Sequence, residues 1–344
     1  MGDWITPHGS EPSTTPEAAL FNNCYILWCT RIVANASRVL GDESAAAKYD
    51  ADATALAKAI HAKFFVPASS GYLDTRQTHL VMPLIAGVVP AEHKAGVWAA
   101  LRKEILATQA SHFDTGLHGT YFMTKLLTDT SLGFGGGDDL LYAMSTQTSY
   151  PGYGDLLAKG YGTWPENWGT PVGGAHHADP KGPRQPYLVA ANWTSGSLSP
   201  AHGTLNGIGQ WFVAGLGGIR RAEGRVGYQH FELRPPWGST PLHHAQASFE
   251  SNYGMVESSW SAALHSKLTP IRGPVRVSYN VSVPANTKAT VYIPAAAKES
   301  VREKGGMQGV RFLRMANSTG TPAVPLALFE VGSGGFSFSS EYEG

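Results

Sequence analysis

The densest grouping of side chains able to do chemistry is Gly160-Tyr161-Gly162-Thr163-Trp164-Pro165-Glu166-Asn167-Trp168-Gly169, preceded by Tyr150-Pro151-Gly152-Tyr153. One carboxylate, Glu166, follows Pro165 and lies between Trp164 and Trp168. Indole faces accept the apolar C–H surface of a sugar ring, and a fixed carboxylate can move one proton. Glu166 is therefore the expected catalytic residue. A second reading fits the same residues, a surface turn whose tryptophans plug the end of a helical bundle.

Other groups carry weaker signals. His202 is either a buried histidine at a helix start or a hydrogen-bond partner for a sugar hydroxyl or for Glu166. The pairs His176-His177 and His243-His244 have no third ligand at a usable spacing, so solvated loop histidines and no metal are expected. Gly135-Gly136-Gly137-Asp138-Asp139 reads as a helix start with acids near its positive end rather than as a cation loop. Cys24 and Cys29 are about 140° apart around a helix and cannot bridge each other, so burial as small hydrophobes is expected. Asn-X-Ser/Thr triplets begin at Asn35, Asn192, Asn280 and Asn317, where a glycosylating compartment could attach glycans.

A chain of 344 residues exceeds one ordinary hydrophobic core, so two domains are expected to hold these groups. Lys+Arg and Asp+Glu balance at 26 each, which leaves no net field to attract a polyanion and argues against nucleic acid as a partner. No stretch reaches the ~20 uninterrupted apolar residues of a membrane helix, so no membrane partner is expected and the chain reads as soluble. Thr14-Thr15 ahead of Pro16-Glu17 is a helix start, and apolar residues then recur from Ala18 to Leu40 until Gly41 stops them. Further helices are expected over 43–65, 77–89 with a kink at Pro83, 91–110, 118–129, 138–148 and 205–221. Beyond about residue 225 the pattern turns to short alternating runs. Val275, Val277, Tyr279, Val281 and Val283 would share one face of a strand, with Pro284-Ala285-Asn286-Thr287 turning into a partner strand over 289–293. Gly332 to Ser340 reads as a loop and frayed end. The expected organisation is a helical part over 1–224 and a β-sandwich over 225–344. The Gly/Pro-rich segment 170–195 reads as a long loop that either shapes a site rim or covers the helical part.

The tryptophan-rich run resembles the Gly-Ala-Thr-Thr-x-Trp-Glu-x-Trp motif of the α-L-rhamnosidases of glycoside hydrolase family 78. It agrees at Gly160, Thr163, Glu166 and Trp168 and departs at Tyr161, Gly162 and Pro165. Gly2-Asp3-Trp4 resembles the family's Gly-Asp-Trp, and Gln77-Thr78 its Gln-Thr before a helix. His112, Thr115, Gly116, Gly119 and Thr120 resemble its His-x-x-Thr-Gly-x-x-Gly-Thr. Tyr150-Pro151 is similar to its Tyr-Pro. His202 with Trp211 and Gly218-Ile219 is similar to its Asn-His…Trp…Ala-Gly-Ile, with Ala201 where Asn is usual. The strand pair 281–294 is similar to part of its C-terminal sandwich. The landmarks follow one order across nearly the whole chain.

The resemblance implies a multidomain chain, α then β: an incomplete (α/α)6 toroid of the six-hairpin glycosidase type followed by an antiparallel β-sandwich. It implies removal of terminal α-L-rhamnose from glycosides or polysaccharides by inverting hydrolysis, with no metal or organic cofactor. Glu166 takes the general base's position, and Asp3, Trp4, Trp164, Trp168 and His202 are expected to bind substrate. Inversion needs two carboxyl groups roughly 6.5–9.5 Å apart. The family's general acid lies upstream of its Gly-Asp-Trp motif, so the chain is expected to be truncated and to lack that acid. Two alternatives stand beside this reading: another (α/α)6 carbohydrate enzyme, whose Tyr161, Gly162 and Pro165 serve a different sugar, and an inactive sugar-binding remnant.

Overall fold

The computed structural model describes residues 2–7, 13–129, 136–168, 199, 201–203, 205–222, 224–264, 274–318 and 323–343. Two compact units divide the chain, one formed by Met1–Leu126 with Leu140–Ile208 and the other by Leu127–Asp139 with Gly209–Gly344.

The helical elements follow their local signals. Helix α1 (Pro16–Val39) starts from Thr15, whose hydroxyl accepts the Ala18 N–H at 3.2 Å, and Gly41 ends the run at φ +79°. Helix α2 (Glu43–Phe64) starts from Asp42, whose carboxylate accepts the Ala45 N–H at 2.9 Å. A short hairpin of β1 (Phe65–Val66) and β2 (Gly71–Tyr72) follows. Helix α3 (Gln77–Ala86) is buried along its whole length, polar Gln77, Thr78 and His79 included. It stops before the expected 89 because Gly87 turns left-handed at φ +71° and its N–H caps the helix end. Helix α4 (Ala91–Lys103) does not continue as α-helix to 110 but widens into a π turn, Glu104–Thr108. There the buried Glu104 carboxylate accepts from the Thr75 hydroxyl at 3.2 Å and the Gln109 amide at 3.0 Å. Helices α5 (Leu117–Thr128) and α6 (Asp138–Ser145) come next. Helix α7 (Tyr153–Ala158) was not legible, being too short for an apolar period.

The expected helix over 205–221 is replaced by a 3-10 turn (Leu205–Gly207), a brief α turn (Ile208–Gln210), a π turn (Trp211–Leu216) and then strand β3 (Ile219–Arg221). Gly218 ends the helical run. It sits at φ +74°, and a Cβ there would lie 2.3 Å from Pro235 N, so the chain turns out of the helix against neighbouring backbone.

The second unit holds two five-stranded sheets. One runs β10 (Val310–Asn317), β11 (Pro325–Val331), β8 (Lys288–Pro294), β4 (His230–Leu233), β3; the other runs β5 (His244–Ser251), β6 (Gly254–Leu264), β7 (Pro274–Val283), β12 (Gly334–Glu343), β9 (Arg302–Glu303). The pairs are antiparallel except β4 with β8, which is parallel. Phe231, Trp237, Trp260, Tyr279 and Phe329 are the large side chains of the core. The β7 residues Val275, Val277, Tyr279, Val281 and Val283 are all buried, as the alternation predicts.

Two expectations here are overturned. β8 does not pair with β7; the turn at Pro284–Thr287, with Asn286 at φ +60°, carries the chain into the other sheet, where β8 lies between β11 and β4. Every β8 residue after Lys288 is buried, which suits a central strand covered on both faces and not the partner of a one-sided strand. The segment 332–340 is not a frayed end, because β12 pairs with β7 from Gly334 to Glu343. Its Phe338, Ser340 and Tyr342 turn inward, and the polar Ser340 between the two rings hid the alternation. Cys24 is buried and Cys29 half-buried, both as free thiols. Burial pushes the Cys24 thiol well above its ordinary value.

Candidate active site

The segment Gly2–Trp4 docks on the N-terminus of α5. Asp3 has no exposed surface; one carboxylate oxygen accepts the Thr78 hydroxyl at 2.6 Å and the Gly116 N–H at 2.8 Å, and the other accepts the Gly119 N–H at 2.9 Å. The Trp4 carbonyl accepts the Leu117 N–H at 2.8 Å. Amides that open a helix have no partner inside it, and here Asp3 and Trp4 take them. Burial pushes the Asp3 carboxyl above its ordinary value, against the pull of Thr78, Gly119, Gly116 and the nearby His118. This packing explains the spacing of Gly116 and Gly119. A Cβ on Gly116 would lie 2.1 Å from the Trp4 carbonyl oxygen, and one on Gly119 would lie 2.2 Å from an Asp3 carboxylate oxygen.

The other motif residues extend the same frame. The Gln77 amide donates to the His112 carbonyl at 2.8 Å and accepts the Asp114 N–H at 2.8 Å. The Thr115 and Thr120 hydroxyls pair at 2.8 Å, and the Trp168 indole N–H donates to the Thr115 carbonyl at 2.8 Å. Trp168 is only 1% exposed, stacked on Phe113 at 4.9 Å and met edge-on by Tyr153 at 5.0 Å.

Glu166 is half-buried at the edge of this frame. The Trp4 indole N–H donates to one carboxylate oxygen at 3.3 Å, and the Ser199 N–H donates to the other at 2.9 Å. The Glu166 N–H donates to the Ser199 carbonyl at 2.9 Å and the His202 N–H to the Trp164 carbonyl at 2.8 Å, which ties Trp164 and Glu166 to His202 and Ser199. Each carboxylate oxygen keeps a lone pair beyond the donor it already has, so Glu166 can take a proton from water without losing its anchors.

The sequence-selected residues thus separate into two groups. Glu166, Trp4, Trp164 and His202 are half-buried, with Trp164 edge-on to Tyr153 at 5.0 Å. Asp3 and Trp168 are enclosed and bond inward, to Thr78, Gly116 and Gly119 and to Thr115 respectively. A cavity of about 550 Å³ is lined by Trp164 and His202 with Tyr161, Gly162, Thr163 and Asn206, so two of the three departures from the family motif face it. A second cavity of about 430 Å³ is lined by Gly2, Trp4, Phe21, Asn22, Tyr25 and His118. Sequence reasoning missed Ser199 as a Glu166 donor and Asn22 and His118 as cavity residues. His243 and His244 are exposed at the start of β5. Among the described residues, no three His, Cys, Asp or Glu side chains group to hold a metal, and no helix is long and apolar enough to cross a membrane. His176-His177, Gly135, Asn192 and the segment 170–195 lie outside the described residues.

Residues 1–216 match the family described as bacterial alpha-L-rhamnosidase 6 hairpin glycosidase domain, and residues 218–308 match the bacterial alpha-L-rhamnosidase C-terminal domain. An alpha-L-rhamnosidase of Streptomyces avermitilis is 27% identical over 341 residues, 98% of this chain and 28% of that protein. One from Formosa agariphila is 25% identical over 308 residues, 88% of this chain and 29% of that protein. Among solved structures, the Streptomyces avermitilis enzyme complexed with L-rhamnose aligns with 98% of this chain and 28% of its own, at a TM-score of 0.72 and 25% identity. The α-L-rhamnosidase from Dictyoglumus thermophilum has the same fold, with a TM-score of 0.72 at 22% identity over 99% of this chain and 34% of its own. The chain spans under a third of the length of the curated relatives it matches. Helices bearing the family's motifs in order, followed by two packed sheets, make this chain a member of the bacterial α-L-rhamnosidase family, with a six-hairpin glycosidase domain followed by that family's C-terminal domain.

Proposed function

We propose that the protein removes terminal α-L-rhamnose from glycosides or polysaccharides by inverting hydrolysis, with Glu166 as general base. The observation that carries this reading is the grip on Glu166. An indole N–H and a backbone N–H hold its two oxygens, and the indole belongs to a residue lining an adjoining cavity. In the proposed step Glu166 takes a proton from water as the water oxygen attacks the anomeric carbon from the face opposite the aglycone. The glycosidic C–O bond breaks, and the leaving oxygen takes its proton from a second carboxyl group. That acid belongs, on the family resemblance, to sequence upstream of Gly2-Asp3-Trp4. Trp4, Trp164 and His202 contact the substrate, while Asp3 and Trp168 hold the wall from behind. Tyr161 and Gly162, on the first cavity, are where a changed preference for the sugar or aglycone would arise.

The test is release of 4-nitrophenol from its α-L-rhamnoside by this chain and by the chain extended upstream, each with and without Glu166→Gln. NMR of the first anomer formed reports the stereochemistry. Activity that Glu166→Gln lowers by at least ~10³-fold, with β-L-rhamnose formed first, supports the reading. Retention of the α-anomer, or a fully active Glu166→Gln, removes Glu166 as base. Folded proteins inactive in every form leave the sugar assignment without support.

A further inference from the structure

We propose that His118 and Asn22 are substrate-contacting residues that bind sugar hydroxyl groups in the cavity of about 430 Å³ beside Trp4; the identity of the sugar rests on the rhamnosidase reading above. The cavity lies wholly within the first compact unit. One of its walls is Trp4, whose indole N–H reaches Glu166, so the cavity begins one side chain away from the proposed base. On α1, Tyr25 lies four residues after Phe21 and three after Asn22, so each of the two is its neighbour on the helix surface. The Phe21 and Tyr25 rings lie nearly parallel with centroids 6.4 Å apart, and the His118 ring leans on Phe21 at 5.7 Å.

The polar members are placed as ligands are held, not as a core is built. Residues 113–117, 119 and 120 are buried, whereas His118 is exposed. Its backbone is fixed all the same, because the Gly116 and Gly119 amides on either side are bonded to Asp3. Among the described residues, neither the His118 ring nitrogens nor the Asn22 side-chain amide makes a hydrogen bond. A neutral imidazole offers one donor and one acceptor, and a carboxamide offers two donors and an acceptor. Each sugar hydroxyl both donates and accepts, so the pair suits a polyol, while Trp4, Phe21 and Tyr25 supply surface for C–H groups and the methyl of a 6-deoxysugar. His118 occupies an x position of Thr-Gly-x-x-Gly-Thr, so a reading by motif passes over it.

The test is isothermal titration of L-rhamnose, D-mannose and D-glucose into the wild-type chain and into His118→Ala, His118→Gln and Asn22→Ala. Circular dichroism melts check the fold of each, and KM and kcat on 4-nitrophenyl α-L-rhamnoside are measured with the same substitutions in the upstream-extended form. Each alanine variant should bind about 5- to 10-fold more weakly, the loss of one hydrogen bond. His118→Gln should recover part of this, and KM should rise more than kcat falls. If rhamnose binds the wild type and both alanine variants bind it within twofold, this inference is overturned and the rhamnosidase reading stands. If another sugar of the panel binds instead of rhamnose, and the variants weaken it, the rhamnose assignment fails and the inference holds. If no sugar binds the folded wild type, both are overturned.

Discussion

Asp3 carries the sharpest physical prediction, because its carboxylate holds three groups that have nowhere else to go. Asp3→Ala strips the partner from the Thr78 hydroxyl and from the Gly116 and Gly119 amides, all at zero exposure of residue 3. A buried donor left without an acceptor costs about 1–3 kcal/mol. Three donors set the scale, and release of the burial penalty on the charge offsets part of it, so the loss should be about 3–5 kcal/mol. Asp3→Asn keeps the size and one acceptor but turns an NH2 group toward existing donors, and should cost about 1–3 kcal/mol. Urea denaturation followed by circular dichroism measures both. Because the chain has two compact units, two transitions are to be expected, and only the helical one should move. A loss under about 1 kcal/mol for Asp3→Ala, within the range of ordinary surface substitutions, would mean that the start of α5 does not depend on this carboxylate.

Trp4→Phe removes the indole N–H from Glu166 while keeping an aromatic ring. The bond is long at 3.3 Å, so kcat/KM on an active form should fall only about 3- to 10-fold; an unchanged value would show that Ser199 alone holds the carboxylate. Asp74 supplies a pH signature. Burial alone would raise its carboxyl, but the 2.7 Å contact with His79 and the bonds from the Arg76 N–H and guanidinium hold it well below its ordinary value of 3.8. A depressed carboxyl stabilises the fold above that value and loses its contribution as pH falls below it. The gap in urea midpoint between wild type and Asp74→Asn should therefore be full at pH 6 and shrink toward pH 3, and a constant gap would remove the assigned cause.

Local chemistry made much of this protein readable in advance. Thr15 announces a helix start because a cap acts within three residues, and Val275 to Val283 announce a strand because its period is two. Glu166 and the tryptophans beside it stood out by residue type, and the motif glycines at 116 and 119 by their spacing. Other features depended on neighbours distant in the chain. Gly218 breaks a helix because of Pro235, β12 is a strand because β7 lies beside it, and β7 and β8 part company because β8 needs cover on both faces. The same holds for the site. Asp3 reaches Thr78 and Gly119, and Trp4 reaches Glu166 across 162 positions of sequence. A buried donor takes whichever acceptor tertiary packing brings to it, and no pattern of neighbouring residues encodes that choice. The sequence by itself therefore singled out Glu166 and its aromatic neighbours by residue type, while tertiary packing alone decided that Asp3 and Trp168 are enclosed and that Trp4 and Ser199 donate to the Glu166 carboxylate.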